Sequence, residues 1–164
     1  MITSHDVAKL AKVSQTTVSR AFRDDCYIHP ETRKKVLEAA NKLGYFPNYS
    51  AKCLKKKQSK IIGLLLSNYN NKFYTTITQS IESHMNENGY RLMLTFSDEK
   101  PDKERKYLES FISSRVDGII YMPVSRSNED LVKATAQFDI KVLQFTRNLY
   151  DYLDAFFIDD ELGA

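Results

Sequence analysis

Apolar and polar positions in the first third of the chain repeat with the period of short helices. Val7, Leu10 and Ala11 recur at the i, i+3, i+4 spacing that gives a helix one apolar face. This spacing predicts a first helix over residues 4–12, with Thr3 as its N-cap in a variant of the capping box.

Two further helices are predicted before residue 45. Ser14 is a favourable N-cap for a second helix over residues 15–23, and Pro30 suits the first position of a third helix that ends at Gly44. The residues of the third helix expected to face inward are Val36, Leu37, Ala40 and Leu43, and those expected on its outer side are Arg33, Lys34 and Lys35.

The second helix is predicted to have one polar and one apolar side. The polar arc consists of Gln15, Thr16, Ser19 and Arg20, and the apolar arc consists of Val18, Ala21 and Phe22, at about 100° per residue. Amide, hydroxyl and guanidinium groups match base edges in a DNA major groove, because Gln suits adenine and Arg suits guanine. Two helices joined by a tight turn in this way are typical of the helix-turn-helix motif. A small amphipathic bundle with a merely solvated outer face is the alternative.

From Ile61 onward, strands alternate with helices. The predicted strands cover residues 61–67, 90–96, 118–122, 141–145 and 155–158, and the predicted helices cover residues 73–88, 101–114 and 128–138. Ser127 and Asp130 are expected to cap the last helix. Aliphatic runs such as "IIGLLL" are typical of strands buried on both faces of a parallel sheet. The alternation predicts a doubly wound α/β fold.

Charge is distributed unevenly along the 164 residues. Residues 1–60 contain 13 Lys and Arg against 5 Asp and Glu, a net charge of +8, whereas residues 61–164 contain 11 against 16, a net charge of −5. This contrast indicates a module that binds a polyanion such as nucleic acid, joined to a part that avoids it. A chance distribution of solvated charge is the alternative.

Several classes of protein find no support in the sequence. Cys26 and Cys53 form no Cys-x-x-Cys pair, so we expect reduced cysteines and no zinc site. The N-terminus lacks a signal-peptide pattern and no aliphatic run could span a bilayer, so a soluble cytoplasmic protein is expected. Without a phosphate-binding glycine loop, nucleophile elbow or histidine pair, we expect no catalytic residue, metal or cofactor. The acidic residues 159–161 are expected to end a strand and cap the next helix.

Two stretches of the first sixty residues, "TSHDVAKLAKVSQTTVSRAF" and "HPETRKKVLEAANKLGYFPNYSAKCL", resemble the DNA-binding headpiece of the LacI/GalR family of bacterial transcription regulators. The resemblance implies an all-α helix-turn-helix domain over residues 1–58, including a hinge at residues 48–57. His29 stands where the family commonly has a capping serine. By position, the resemblance assigns base reading to Gln15, Thr16 and Arg20, and DNA phosphate contacts to Ser14, Thr17, Ser19, Tyr45 and Asn48.

Residues 48–57 are a basic linker when judged by composition alone. In the LacI/GalR family the corresponding hinge becomes helical on the operator and inserts a leucine into the minor groove, which kinks the DNA. The resemblance places Leu54 in that role, with Ala51 beside it. The family's usual A-R-S-L is Ala51-Lys52-Cys53-Leu54 here, so Lys52 keeps the charge of arginine but loses its planar fork.

Residues 59–164 are similar to the N-terminal part of the family's effector core, a periplasmic-binding-protein-like fold with two lobes around a cleft. The similar stretches are "NNKFYTTI", "ENGYRLML", "SSRVDGIIYMP" and "FIDDELGA". Ligands of such sheets bind beyond the carboxyl ends of the strands. The candidate effector-binding residues there are Asn71, Phe73, Tyr74 and Arg147. Core packing is the alternative for both aromatic residues, and an ion pair with Asp151 is the alternative for Arg147.

Together these features predict a sequence-specific transcription regulator, a repressor of a sugar-use operon that binds a pseudo-palindromic duplex operator as a homodimer. A small-molecule effector, a sugar or sugar derivative, would bind the complete core and bias the hinge. The chain stops at "DDELGA", where family members continue, so we expect an incomplete core that binds no effector properly by itself. A ligand-binding protein without a DNA role, and a truncated partner of a longer regulator, are the remaining alternatives.

Overall fold

The computed structural model describes residues 2–23, 26–47, 58–68 and 72–156. The chain forms two compact units, residues 1–52 and 53–164. The expected domain limit at residue 58 stays a prediction, because residues 48–57 lie outside the described ranges. Within those ranges, no helix has the length and apolar character needed to cross a membrane.

Among its described residues, the first unit contains three helices: α1 (Ser4–Ala11), α2 (Gln15–Ala21) and α3 (Pro30–Leu43). Small and β-branched side chains meet at their centre, which lets the three helices approach closely. The buried residues are Val7, Ala8, Val18, Ala21, Val36, Ala39 and Ala40. The expectation that Leu37 of α3 faces inward was wrong, since its side chain is 42% exposed. Ala39 of the same helix is buried instead, and Val36 and Ala40 are buried as predicted.

Local polar contacts set the ends of these helices. Asp6 accepts hydrogen bonds from the backbone N–H and the hydroxyl of Thr3, at 2.8 and 2.7 Å, which hold the pKa of Asp6 below its usual value. Gly44 follows α3 with a φ of 64°, the left-handed conformation that glycine adopts at little cost. His29 precedes Pro30 without a side-chain capping bond. The predicted start of α1 and both predicted ends of α3 are confirmed.

The second unit is a five-stranded parallel sheet flanked by helices. Its strands are β1 (Ile61–Leu66), β2 (Arg91–Phe96), β3 (Gly118–Tyr121), β4 (Lys141–Phe145) and β5 (Asp154–Phe156). Its α-helices are α4 (Lys72–Glu87), α5 (Pro101–Ser113) and α6 (Glu129–Ala134), the last lying between the 3₁₀ turns Arg126–Asn128 and Thr135–Phe138. The strand order is β2-β1-β3-β4-β5, with every neighbouring pair parallel. The predicted α/β class is confirmed.

The two faces of the sheet bury separate apolar layers. On one face, Leu64 and Leu66 of β1 pack in a cluster with residues of α4. On the other face, Leu65 packs in a cluster with Phe111 of α5 and Val132 of α6. Strand β1 is therefore buried on both sides, as its continuous aliphatic sequence predicted.

Asp117 fixes the point at which the chain enters the sheet. Its carboxylate accepts hydrogen bonds from the backbone N–H and hydroxyl of Ser59 and from the backbone N–H of Lys60, at 2.7 to 3.0 Å. These three bonds join the segment before β1 to the start of β3.

The segment between β3 and β4 differs from the single capped helix that was predicted. The cap from Ser127 to Asp130 is wrong, because the hydroxyl of Ser125 accepts from the backbone N–H of Ser127 at 3.3 Å. Asp130 instead pairs with both terminal guanidinium nitrogens of Arg105, at 3.1 and 2.9 Å. A bidentate charged partner is stronger than a single backbone N–H, so it takes the carboxylate.

Gly63 of β1 faces the ring of Phe111, and a Cβ at this position would lie 2.8 Å from two ring carbons. We therefore expect Gly63→Ala to lower the free energy of unfolding of the second unit by about 1–3 kcal/mol through overpacking. Urea unfolding followed by far-ultraviolet circular dichroism measures this loss. Adding Phe111→Leu should give a double variant less destabilised than the sum of the two single changes. An undiminished stability of Gly63→Ala would contradict the steric argument.

Candidate functional site

The outer face of α2 presents four polar side chains to solvent. Gln15, Thr16, Ser19 and Arg20 are all exposed. On the opposite side, Val18 and Ala21 are only 1% and 2% exposed. The predicted division of α2 into a polar and an apolar side is therefore confirmed, whereas base reading by the polar side stays a prediction.

Two of the predicted phosphate contacts, Ser14 and Thr17, bond to each other at the start of α2. The hydroxyl of Ser14 accepts from the backbone N–H of Thr17 at 3.1 Å and lies 2.8 Å from the hydroxyl of Thr17. Ser14 is thus the N-cap that the sequence predicted. Both hydroxyls are held at the amino end of a helix, where the backbone dipole favours an anion such as a phosphate.

Gln15 is connected to the first helix. Its side-chain nitrogen Nε2 donates to the hydroxyl oxygen of Ser4 at 2.7 Å. The bond joins the first residue of α1 to the first residue of α2. An exposed glutamine is therefore held by a neighbour, rather than only solvated.

The prediction that Arg33 lies on the outer side of α3 was wrong. Its guanidinium is part-buried and donates to the backbone carbonyl oxygens of Ala21, at 3.0 Å, and Arg23. The carbonyl of Ala21 is the last of α2, and that of Arg23 follows two residues later. At this end of a helix the carbonyls lack intrahelical donors, and a cation is favourable. Arg33 therefore anchors the end of the helix that carries the candidate base readers.

The first unit has half-buried and exposed aromatic side chains. Tyr45, a predicted phosphate contact, is half-buried, with its ring 5.9 Å from that of Phe22 in an edge-to-face arrangement. Tyr27 and Phe46 are 88% and 87% exposed, and the sequence did not single them out. The predicted sites at Asn48, Ala51, Lys52 and Leu54 lie outside the described residues.

A second set of polar groups gathers at the carboxyl edge of the sheet. Both terminal nitrogens of Arg147, after β4, lie 2.8 Å from the carboxylate of Glu99, after β2. Arg147 also donates to the backbone carbonyl of Pro123, after β3, at 3.2 Å. The hydrogen bond from Arg147 holds the pKa of Glu99 below its usual value. The alternative prediction, an ion pair between Arg147 and Asp151, was wrong. Glu99 holds the guanidinium of Arg147 at 2.8 Å, and Asp151 lies 4.0 Å from the guanidinium of Arg126.

A buried carboxylate, Glu104 of α5, lies beside this edge. It accepts from the backbone N–H of Val124 at 2.6 Å and from the side-chain amide of Asn128 at 2.9 Å. Burial raises the pKa of Glu104, and the bonds from Asn128 and Val124, together with the charge of Arg147, oppose that rise. The carboxylate therefore organises the loop after β3.

Gln144, buried near the end of β4, shapes the loop that carries Arg147. Its amide nitrogen donates to the side chain of Asn148 and the carbonyl of Tyr150, at 3.1 and 2.9 Å. Its oxygen accepts from the backbone N–H groups of Leu149 and Tyr150, at 2.8 and 2.9 Å. Both donors and both lone pairs of the amide are used, so the path of the loop is well defined.

Thr146, which precedes Arg147, has an uncommon backbone conformation. Its φ of 61° lies in the left-handed region that β-branched residues avoid. Its backbone N–H donates to the carbonyl of Phe156 in β5 at 2.7 Å, which helps to hold this conformation. Such strain is typical of positions where the surrounding structure dictates the geometry of a site.

The remaining candidate effector residues divide into three cases. Phe73 is 42% exposed on the first turn of α4. Tyr74 is buried, and its hydroxyl donates to the sulfur of Met122 at 3.2 Å, which matches the core-packing alternative. Asn71 lies outside the described residues.

Residues distant along the chain hold the candidate side chains in place, and the sequence did not reveal these pairings. Ser4 and Gln15 are 11 positions apart, Ala21 and Arg33 are 12 positions apart, and Glu99 and Arg147 are 48 positions apart. No periodicity or capping motif extends over such separations. The one relevant sequence signal was the predicted parallel sheet, because parallel strands place the residues that follow β2 and β4 at the same edge.

Two family profiles match almost the whole chain. The profile "Bacterial regulatory proteins, lacI family" matches residues 3–48, and "Periplasmic binding proteins and sugar binding domain of LacI family" matches residues 59–162. The chain belongs to the LacI family of bacterial regulatory proteins. This membership confirms the resemblance and accounts for the two different units on one chain.

Relatives in the LacI family are longer than this chain. It is 45% identical over 120 residues to the ribose operon repressor of Bacillus subtilis (strain 168), a match that covers 73% of this chain and 37% of that protein. It is 40% identical over 144 residues to the sucrose operon repressor of Streptococcus mutans, covering 88% of this chain and 44% of that protein. The matched part of this chain thus covers less than half of each of these relatives, both of which are named operon repressors.

A solved structure supports the same assignment. The crystal structure of the Lac repressor dimer bound to operator and the anti-inducer ONPF matches with a TM-score of 0.75 and 26% identity. The match covers 94% of this chain and 47% of that chain.

The anchor formed by Arg33 can be tested by stability. We expect Arg33→Ala to lower the free energy of unfolding of the first unit by about 1–3 kcal/mol, because two carbonyls at the end of α2 lose a charged donor. Urea unfolding followed by helical circular dichroism measures the change. The matched control is Lys35→Ala, an exposed cation of the same helix, which should change stability by less than about 0.5 kcal/mol. Equal effects of the two changes would argue against the anchor.

Glu104 should make stability depend on pH in a specific direction. Its pKa in the folded chain is raised above the ordinary value of 4.5, so its protonated form favours folding. This stability is fully present below the ordinary value and is lost as pH rises through the raised pKa. Relative to Glu104→Gln, we therefore expect the second unit to gain stability as pH falls from neutral towards 4.5. Urea unfolding of both proteins over this range measures the difference, and a difference that is independent of pH would contradict the assignment.

Proposed function

We propose that this chain is a sequence-specific DNA-binding repressor of genes for sugar use, acting in the cytoplasm as a homodimer on a two-fold symmetric operator. The observation that carries the proposal is the exposed polar face of α2, set by the burial of Val18 and Ala21. That face belongs to a basic segment with a net charge of +8 over residues 1–60.

Base reading is assigned to three side chains of this face. Arg20 can donate two parallel hydrogen bonds to guanine, Gln15 can bond adenine at two positions, and Thr16 offers a hydroxyl and a methyl group. Phosphate contacts are assigned to Ser14, Thr17, Ser19, Tyr45 and Asn48. Because phosphate contacts release counterions, affinity should fall steeply as the salt concentration rises.

The hinge and the dimer complete the DNA-binding proposal. Leu54 would enter the minor groove, with Ala51 and Lys52 beside it, and a kink there would expose more backbone to the protein. The related Lac repressor was solved as a dimer bound to operator. A dimer with equivalent helices would read two half-sites, which accounts for the two-fold symmetry proposed for the operator.

The regulatory part of the proposal concerns the carboxyl edge of the sheet. Matched relatives are named repressors of ribose and sucrose operons, which supports a sugar or sugar derivative as the effector. Phe73 and Arg147 are the described side chains proposed to contact it, together with Asn71. Because Glu99 already holds Arg147 at 2.8 Å, a ligand would bind the pair rather than a lone cation.

Selection of binding sites from a random duplex pool tests the DNA-binding proposal. We expect a two-fold symmetric consensus sequence, bound with a logarithmic affinity that declines by about 0.9 per phosphate contact for each tenfold rise in salt. Weak binding with no sequence preference would contradict the proposal.

Arg20 provides the sharpest variant in that experiment. We expect Arg20→Ala to cost about 1–3 kcal/mol on the selected duplex and to relax the preference at one base pair of each half-site. The control is Lys9→Ala, an exposed cation of α1 outside the α2 face, which should change the affinity for all duplexes by the same factor. Equal weakening of all duplexes by Arg20→Ala would remove Arg20 from the base-reading set.

A further inference from the structure

Ser4 and Gln15 form a polar contact between two helices on the side of the first unit that carries the candidate base readers. The Nε2 atom of Gln15 donates to the Oγ atom of Ser4 at 2.7 Å. Gln15 is exposed and Ser4 is half-buried, so the contact lies at the surface, where DNA can approach it.

After bonding to Ser4, Gln15 still has free the two groups that recognise a base. A carboxamide has two N–H donors and one oxygen acceptor, and the bond to Ser4 uses one donor. One N–H and the oxygen remain, which are the two groups that bond N7 and N6 of adenine in the major groove.

The contact also restricts a flexible side chain. A free glutamine samples many rotamers in solution and must be ordered when it meets a base, which weakens binding. Bonding to Ser4 favours one placement of the carboxamide before DNA arrives. The backbone N–H of Thr3, next to Ser4, donates to the carboxylate of Asp6 at 2.8 Å, a bond that does not need the side chain of Thr3.

We propose that Ser4 is a specificity-determining residue that acts through Gln15, by orienting its carboxamide towards adenine in each half-site. The inference rests on the proposed function, since it concerns which base the α2 face prefers. Ser4 is a positioning residue in this scheme, because Gln15 and not Ser4 contacts the base.

A double-mutant cycle on the whole chain tests the inference. The variants are Ser4→Ala, Gln15→Ala and their combination, with Ser4→Thr as the conservative change that retains a hydroxyl. The measured quantity is the ratio of affinities for the selected duplex and for a duplex altered at the base pair whose preference Gln15→Ala abolishes.

Ser4→Ala should reduce this ratio by about three- to tenfold, as expected for loss of one neutral hydrogen bond. Ser4→Thr should retain most of the ratio. In the Gln15→Ala background, Ser4→Ala should change the ratio by less than about twofold, because the side chain that Ser4 orients is gone.

Two controls separate orientation from folding. Thr3→Ala removes the neighbouring cap of α1 and should alter stability while leaving the ratio unchanged. The second control uses NMR of the chain without DNA. The chemical shifts of the two side-chain amide protons of Gln15 should move towards those of a solvated glutamine in Ser4→Ala, and less so in Ser4→Thr.

Three results would overturn the inference. Equal weakening of both duplexes by Ser4→Ala would make the role of Ser4 structural or electrostatic. An undiminished effect of Ser4→Ala in the Gln15→Ala background would mean that Ser4 reads the base itself. A wild-type chain without any sequence preference would overturn the proposed function together with the inference, a result distinct from the first two.

Discussion

The rotation of α2 about its own axis is the constraint on which the DNA-facing surface depends. Val18 and Ala21 are almost completely buried among small residues of α1 and α3. Because both lie on one side of α2, their burial leaves Gln15, Thr16 and Arg20 on the other. The core contains four alanines and three valines, so the helices pack closely and a rotation of α2 would either open a cavity or cause a clash.

The second unit depends on a different constraint, the parallel pairing of its strands. Parallel pairing brings all the carboxyl ends to one edge, so the segments after β2, β3 and β4 converge. Glu99, Pro123 and Arg147 meet there although they are far apart in the chain. Strand β1 occupies the interior of this sheet and is covered on both faces, which explains why its sequence is the most uniformly aliphatic.

Buried polar side chains fix the loops that the apolar core leaves undetermined. Gln144 holds the loop after β4, Glu104 holds the loop after β3, and Asp117 holds the segment that enters β1. Each of them bonds backbone groups, which would otherwise lose their hydrogen bonds to water on burial. The loop carrying Arg147 is therefore placed by a fully bonded amide rather than by apolar contact, and the strained backbone of Thr146 is retained within it.

The sequence by itself determined the strands and most of the helices, most of the caps, the division into a basic and an acidic part, and the side of α2 that faces outward. These features follow from periodicity and from residues within about four positions of one another, which a linear sequence displays directly. Only the tertiary structure decided that Gln15 bonds Ser4, that Arg33 anchors α2 and that Arg147 is held by Glu99. It also decided that Ala39 rather than Leu37 of α3 is buried in the core of the first unit. Such choices depend on which groups come within about 3 Å after the helices and strands have packed, and sequence spacing does not encode that distance.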